Sequence, residues 1–464
     1  MRNFGLTVAC VLLVLAATPI AKPQGVAQAL SAGGNEGPDG FQLYSVSVYS
    51  EYSSTTVPFG SNIAFGSSLP TGSSNLGPNY LAGIVAKVGW RKTGARTNFY
   101  VTYVPSYDAS FRYSSLNSMN NSLSFGMIHD LGPRWTLISS GAAFTARWDQ
   151  FLFSPTLFSS LTDTPTTFDE LSQAILSGKY TSSQLASILT GAPLIESPAT
   201  TLIYGPRIFN ASLRNEISYD HSDRLHFHFG FGATRVQHLS SGQTDDASVS
   251  LLPETTTASV SAGVTYALSP LTDLDFDATS SRTFSHFEDA YISNGTATLS
   301  RVLGRHWIAQ GKGGAGVVTP VRQTFATTPG PHYLAGGTIM YKTLSHAFMG
   351  SYDRTITDLY GLGAHSAGIA SGAWNWQIPG RSWSASAGGR YESLENIGNH
   401  NLNAWLGDAG IGRRFGMHTT VRMAYVYGRI SGVYTGTGTG TSEKRALQGV
   451  QLVVSWSPHL PLDM

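Results

Sequence analysis

From about residue 41 onward, apolar and polar residues alternate one for one over stretches of roughly ten residues. This pattern constrains the chain more than any other. Side chains on an extended strand point alternately to opposite sides, so the two faces of each strand meet different surroundings. In one stretch Leu225, Phe227, Phe229 and Phe231 share a face, and His226, His228, Gly230 and Gly232 share the other. Trp383, Ala385, Ala387, Gly389 and Tyr391 likewise oppose Ser382, Ser384, Ser386, Gly388, Arg390 and Glu392. Val260, Ala262, Val264, Tyr266 and Leu268 oppose Ser259, Ser261, Gly263 and Thr265. The opposite faces are polar nearly throughout. Two stretches, 135–148 and 402–411, have no assignable face. No apolar run is long enough for a membrane-spanning helix.

The connections between strands fall into two sets. Short ones recur at Lys92-Thr93-Gly94, Leu131-Gly132-Pro133, His221-Ser222-Asp223, Ser269-Pro270-Leu271, Leu303-Gly304-Arg305, Leu344-Ser345-His346, Ile378-Pro379-Gly380 and Phe415-Gly416. Longer, more polar ones lie between them, at 56–79, 152–206, 240–256, 319–331 and 432–444. Eight short turns make sixteen strands. A first strand near 43–52 and a last near 446–456 bring the count to about eighteen, or sixteen if one strand has been split. An even count is what a closed antiparallel sheet with both ends on one side requires.

Composition separates a membrane barrel from a soluble β fold. Sandwiches and propellers bury their apolar face in a second layer and favour Ile, Leu and Val there. Here the apolar faces carry Phe, Tyr, Trp, Ala and Gly, which suits one sheet with lipid outside and water inside. Charged residues are only 12% of the chain, aromatics 11%, and glycine contributes 51 residues. A formal net charge of +1 supplies no basic patch, so no nucleic-acid partner is expected.

At the N-terminus, Met1-Arg2-Asn3, an apolar run from Leu6 to Ile20 and the small-residue site Ala27-Gln28-Ala29 read as a secretory signal peptide over 1–29. Cys10, the only cysteine, lies inside it, so thiol chemistry and disulfides do not enter the account.

Over residues 41–456 the chain resembles the bacterial outer-membrane β-barrel proteins, both porin-like channels and the barrels associated with exopolysaccharide loci. Its last strand is similar to the assembly signal of that class: Gly449, then Leu452, Val454 and Trp456 on alternate positions. The resemblance implies an all-β, up-and-down transmembrane barrel in the cell outer membrane, in contact with the lipid bilayer. It implies recognition by the barrel-assembly machinery through the last strand, and a possible link to polysaccharide-export components. Short turns would be periplasmic and long loops extracellular. A short periplasmic segment (30–40) precedes the barrel, and a tail (457–464) follows it.

The polar faces supply the candidate site. Lys87, Arg214, Glu216, Asp220, Asp273, Asp275, Asp277, Lys312, Arg390, Glu392 and Arg422 are expected to line the lumen. A lysine or arginine facing mid-depth lipid would cost about 2–4 kcal/mol. Both signs are present, which argues against strong ion selectivity. Three alternate aspartates spread over about 13 Å, too far to hold one ion. His226 and His228 share a face, but spacing places no third ligand, so no metal site and no cofactor are expected. The glycine-rich run Gly311-Lys312-Gly313-Gly314-Ala315-Gly316 sits inside an alternating pattern, not at a strand-to-helix turn, so it is no phosphate cradle. No catalytic constellation stands out, and no enzyme is expected.

The 152–206 connection carries two capping boxes, Thr167-Phe168-Asp169-Glu170 and Thr181-Ser182-Ser183-Gln184. Each precedes a short helix that would end at Gly178 or Gly191. Such a loop could constrict the pore or cap it from outside. Aromatics at strand ends (Trp90, Tyr103, Trp135, Tyr219, Tyr266, Trp307, Tyr391, Tyr427) fit interfacial girdles, whereas Tyr49 and Tyr100 fall on polar faces. The leading expectation is a water-filled, weakly selective channel for small polar solutes. Exopolysaccharide export and a surface adhesive role acting through the loops are the alternatives.

Overall fold

The computed structural model describes residues 39–54, 57–58, 78–112, 117–147, 203–204, 207–239, 254–285, 288–323, 329–343, 345–358, 364–377, 382–397, 400–416, 418–433 and 443–458. The expected leader, both expected helices of the long connection, and the end of the tail lie outside these residues.

Among the described residues twenty strands follow in order: β1 (Gly40–Ser53), β2 (Val57–Pro58), β3 (Asn79–Thr93), β4 (Thr97–Ser110), β5 (Ser118–Gly132), β6 (Trp135–Arg147), β7 (Ile203–Tyr204), β8 (Arg207–Ser222), β9 (Leu225–His238) and β10 (Thr255–Ser269). Then come β11 (Thr272–Ser285), β12 (Glu288–Leu303), β13 (Trp307–Gln323), β14 (Gly330–Lys342), β15 (His346–Asp358), β16 (Ala364–Gln377), β17 (Trp383–Ile397), β18 (His400–Phe415), β19 (Thr419–Val433) and β20 (Glu443–Trp456). The two-residue strands β2 and β7 pair with each other in parallel. The other eighteen form one antiparallel sheet. It closes on itself where β1 meets β20, from Val46 opposite Trp456 to Ser53 opposite Gly449. Closure leaves no strand edge, which a sheet surrounded by hydrocarbon requires.

All eight expected short turns fall between consecutive strands of the barrel, although Ile378-Pro379-Gly380 lies outside the described residues. Two of them, after β12 and after β18, need a left-handed backbone, and glycine supplies it at Gly304 (φ 76°) and Gly416 (φ 64°). The opposite rim differs from expectation. β13 runs on to Gln323, so the connection expected over 319–331 begins later, and β11–β12 and β17–β18 join across only a few residues. The ambiguous stretches become β6 and part of β18.

The outer face is an apolar belt. Val48, Ile84, Phe229, Phe231, Val260, Phe276, Ile411, Met423 and Leu452 are all exposed on it. Aromatic pairs rim the belt at the short-turn end, with Trp135 and Tyr219 ring centroids 4.6 Å apart and Trp307 and Tyr341 4.7 Å apart. At the other end Tyr52 lies 4.9 Å from Tyr80, and Tyr391 4.7 Å from Trp405. Tyr103 is the exception, sitting mid-strand opposite Val88. Charge on this face keeps to the ends. Arg413 stacks on Trp383 and Phe415 at one, and Arg282 grips Asp289 through two bonds of 2.7 and 2.9 Å at the other. Along β11, Thr272 (opposite Arg301) and Arg282 (opposite Tyr291) mark the two ends of the belt. Ten residues at about 3.4 Å each, tilted about 40°, span roughly 25 Å, the height of an outer-membrane apolar band. The protein is a transmembrane barrel of the outer membrane.

The inner face is less uniformly polar than the alternation suggests. Ile308, Met340 and Met349, on the adjacent strands β13, β14 and β15, are fully buried. Ile308 stands opposite Met340 and Met340 opposite Met349, so each side chain shields the next. Near the long-loop rim Ile292, Val318, Leu334, Ile356 and Ala364 form a second apolar cluster. Lateral packing along the wall lets apolar groups avoid water without a second layer.

Candidate functional site: the lumen wall

In an antiparallel sheet, residues opposite one another across three strands form a row on one face. A glycine in the middle of such a row removes the side chain that would separate the outer two. Three rows on the inner face use this arrangement. Tyr49 on β1 and Asp108 on β4 both stand opposite Gly83 on β3, and the Tyr49 hydroxyl donates to the Asp108 carboxylate over it. His228 on β9 and Asp277 on β11 both stand opposite Gly263 on β10, with imidazole Nε2 2.7 Å from the carboxylate. Lys312 on β13 and Asp353 on β15 flank Gly336 on β14, with an ion pair of 2.7 Å. A methyl group added at Gly83 would strike the Tyr49 ring, and one at Gly263 would strike both His228 and Asp277. These three glycines therefore sit where side chains meet across a strand.

Every residue expected in the lumen lies on the face opposite the apolar belt. Lys87 holds its ammonium 5.5 Å from the centre of the Tyr44 ring. Arg214 pairs with Glu216 at 2.9 Å and Arg390 with Glu392 at 3.1 Å, each two residues along one strand. Arg422 reaches Asp408 at 3.0 Å and the Ser386 hydroxyl at 2.9 Å. Asp275 accepts a 2.6 Å bond from the Thr265 hydroxyl, and Asp220 meets His226 at 2.7 Å. Asp273, expected among the same residues, belongs to this strip on β11, two positions before Asp275.

Sequence reasoning missed the partners. Asp353 and Asp408 neutralise Lys312 and Arg422. Asp108 receives not only Tyr49 but also the Ser118 hydroxyl at 3.2 Å. Alternation within 346–358 is the signal that could have found Asp353, whereas Asp408 sits in a stretch with no legible face. The pairing itself depends on register, which spacing along one strand does not reveal.

The inner wall therefore has two electrostatic characters. On β13–β19 each charge named above has an opposite partner. On β8–β11, once Arg214 and Glu216 are paired, four carboxylates remain (Asp220, Asp273, Asp275, Asp277), with two imidazoles beside them and no lysine or arginine bridged to them among the described residues. These groups are half-buried, and they cluster near the short-turn rim.

No family model matches the chain, and no curated protein matches it. Among solved structures it is similar to Pseudomonas aeruginosa OpdQ, 10% identical over 93% of this chain and 100% of that one, with a TM-score of 0.42. It is also similar to Acinetobacter baumannii OccAB4, at 8% identity, 91% and 98% coverage and a TM-score of 0.41. A third likeness is to Pseudomonas aeruginosa OpdK solved with vanillate, at 10% identity, 89% and 98% coverage and 0.41.

Proposed function

We propose that the barrel is a passive, weakly selective channel for small polar solutes, lined by Lys87, Arg214, Glu216, Asp273, Asp275, Asp277, Lys312, Arg390, Glu392 and Arg422. The observation that carries this reading is a closed ring of eighteen strands with half-buried charged groups on its inner wall. Barrels of this size are too wide for side chains alone to fill. Weak selectivity follows from pairing. An ion pair presents a small net field to a passing solute, and most of the lining charges are paired. The excess of carboxylates on β8–β11 gives a modest preference for cations over anions. No step in this activity makes or breaks a bond.

Single-channel recording of the refolded, heat-modifiable protein in a planar bilayer tests the reading. Discrete, nearly ohmic steps are expected, with a reversal potential displaced slightly toward that of the cation. Silence from protein shown to be folded would overturn it.

A further inference from the structure

Along their own strands the three aspartates of β11 span too far to hold one ion, and the histidines of β9 lack a third donor. The register of the closed sheet brings members of the two sets together. Gly263 stands opposite His228 on one side and Asp277 on the other, while Thr265, two residues on, stands opposite Asp275. One imidazole nitrogen and one oxygen from each of Asp275 and Asp277 lie within 4.8 Å of one another. We propose that His228, Asp275 and Asp277 bind a divalent first-row transition-metal ion on the lumen wall. The proposal deepens the channel reading, since an ion held there stands in the path of solutes.

The donor set fits that class of ion. One imidazole with two carboxylates suits zinc, manganese, iron(II) or cobalt, whereas calcium wants six to eight oxygens. Ligands at about 2.0–2.2 Å from a tetrahedral ion lie about 3.3–3.6 Å apart, so donors that all lie within 4.8 Å of one another need to close by little more than about 1 Å at the widest, a movement that side-chain rotation supplies. The three side chains are half-buried and stand on a wall facing water, which leaves coordination positions for water molecules. Gly263 keeps the floor of the site clear, because a Cβ there would occupy the space between His228 and Asp277.

An independent observation is the charge left over. Elsewhere on the inner wall Asp353, Glu392 and Asp408 each have a lysine or arginine partner. Asp275 has the Thr265 hydroxyl as its hydrogen-bond partner, Asp277 has His228, and neither forms an ion pair with a lysine or arginine among the described residues. The groups facing them from neighbouring strands are Glu216, already held by Arg214, and the Asp220–His226 couple. A cation bound at the triad would offset carboxylate charge that no lysine or arginine pairs with among the described residues.

Titration calorimetry of the refolded protein in detergent with zinc ion tests the site. One saturable site is expected, weakened by about tenfold or more in Asp275→Asn and in His228→Ala. Asp353→Asn, on a different part of the wall, should bind zinc as wild type does. Asp275→Asn removes charge without volume, so it keeps the test decisive even if His228→Ala fails to fold. Absence of saturable binding, or equal binding by wild type and by Asp275→Asn, would overturn the assignment. Bilayer recording separates this from the channel reading. Zinc binding by a silent barrel removes the channel and keeps the site, while conductance without binding removes the site and keeps the channel. Where both hold, zinc should lower the single-channel current of wild type and leave that of Asp275→Asn unchanged.

Discussion

Two glycine-centred rows on the inner wall use the same geometry to different ends. Tyr49–Gly83–Asp108 lies toward the long-loop rim and is dry: Tyr49 and Asp108 are each only 3% exposed. Around it, Ser110 donates to Asn79 at 3.0 Å and Gln451 to Glu51 at 3.4 Å, so the neighbouring polar groups are also bonded to each other. His228–Gly263–Asp277 lies toward the short-turn rim, and its side chains are 20% and 36% exposed. The same backbone arrangement thus yields a closed structural network in one place and solvent-accessible groups in the other. Burial makes the difference: an enclosed carboxylate must be satisfied by protein, whereas one at the water's edge keeps spare capacity.

That contrast can be broken by substituting alanine at the two central glycines. Gly83→Ala should cost about 3 kcal/mol, because the Tyr49 ring it strikes is enclosed and has nowhere to move. Urea unfolding of the vesicle-reconstituted barrel would measure it. Tyr49→Phe keeps the packing and leaves Asp108 short of a donor, with an expected loss of about 2 kcal/mol in the same assay. Gly263→Ala should cost only about 1 kcal/mol, since His228 can swing toward the lumen, although the bond to Asp277 is lost. Equal costs at Gly83 and Gly263 would mean the two rows are equally confined. At the smallest end, Arg214→Ala should change stability by less than about 0.5 kcal/mol, because that arginine side chain is 68% exposed. A larger value in the unfolding experiment would show that the β8–β11 wall is less accessible to water than its exposure indicates.

Most of the fold was legible in the sequence, and the reason is physical. A strand between lipid and water must alternate, and tight turns need residues such as Gly304 and Gly416, so strand number and turn positions are written locally. Eighteen strands and the eight short turns follow from such local signals. Candidate lumen residues could be chosen by the same parity. Their partners could not, because His228 and Asp277 are 49 residues apart and meet only through the register of β9, β10 and β11. Inner-wall apolar packing was missed for a similar reason. Ile308, Met340 and Met349 make sense on a wet face only once their lateral order is known.

The junction of β1 with β20 has a consequence for how the molecule is made. It pairs residues about 400 positions apart over eight pairings, whereas β12 and β13, neighbours in the chain, are paired along sixteen. Contacts between such distant parts of a chain form late and slowly. Until they form, both terminal strands present unpaired amides and carbonyls, which hydrocarbon cannot satisfy. Closure of this junction is therefore the step that turns an open sheet into a barrel. A chain stalled before residue 449 would keep the hairpins of its wall, but it could not become a barrel.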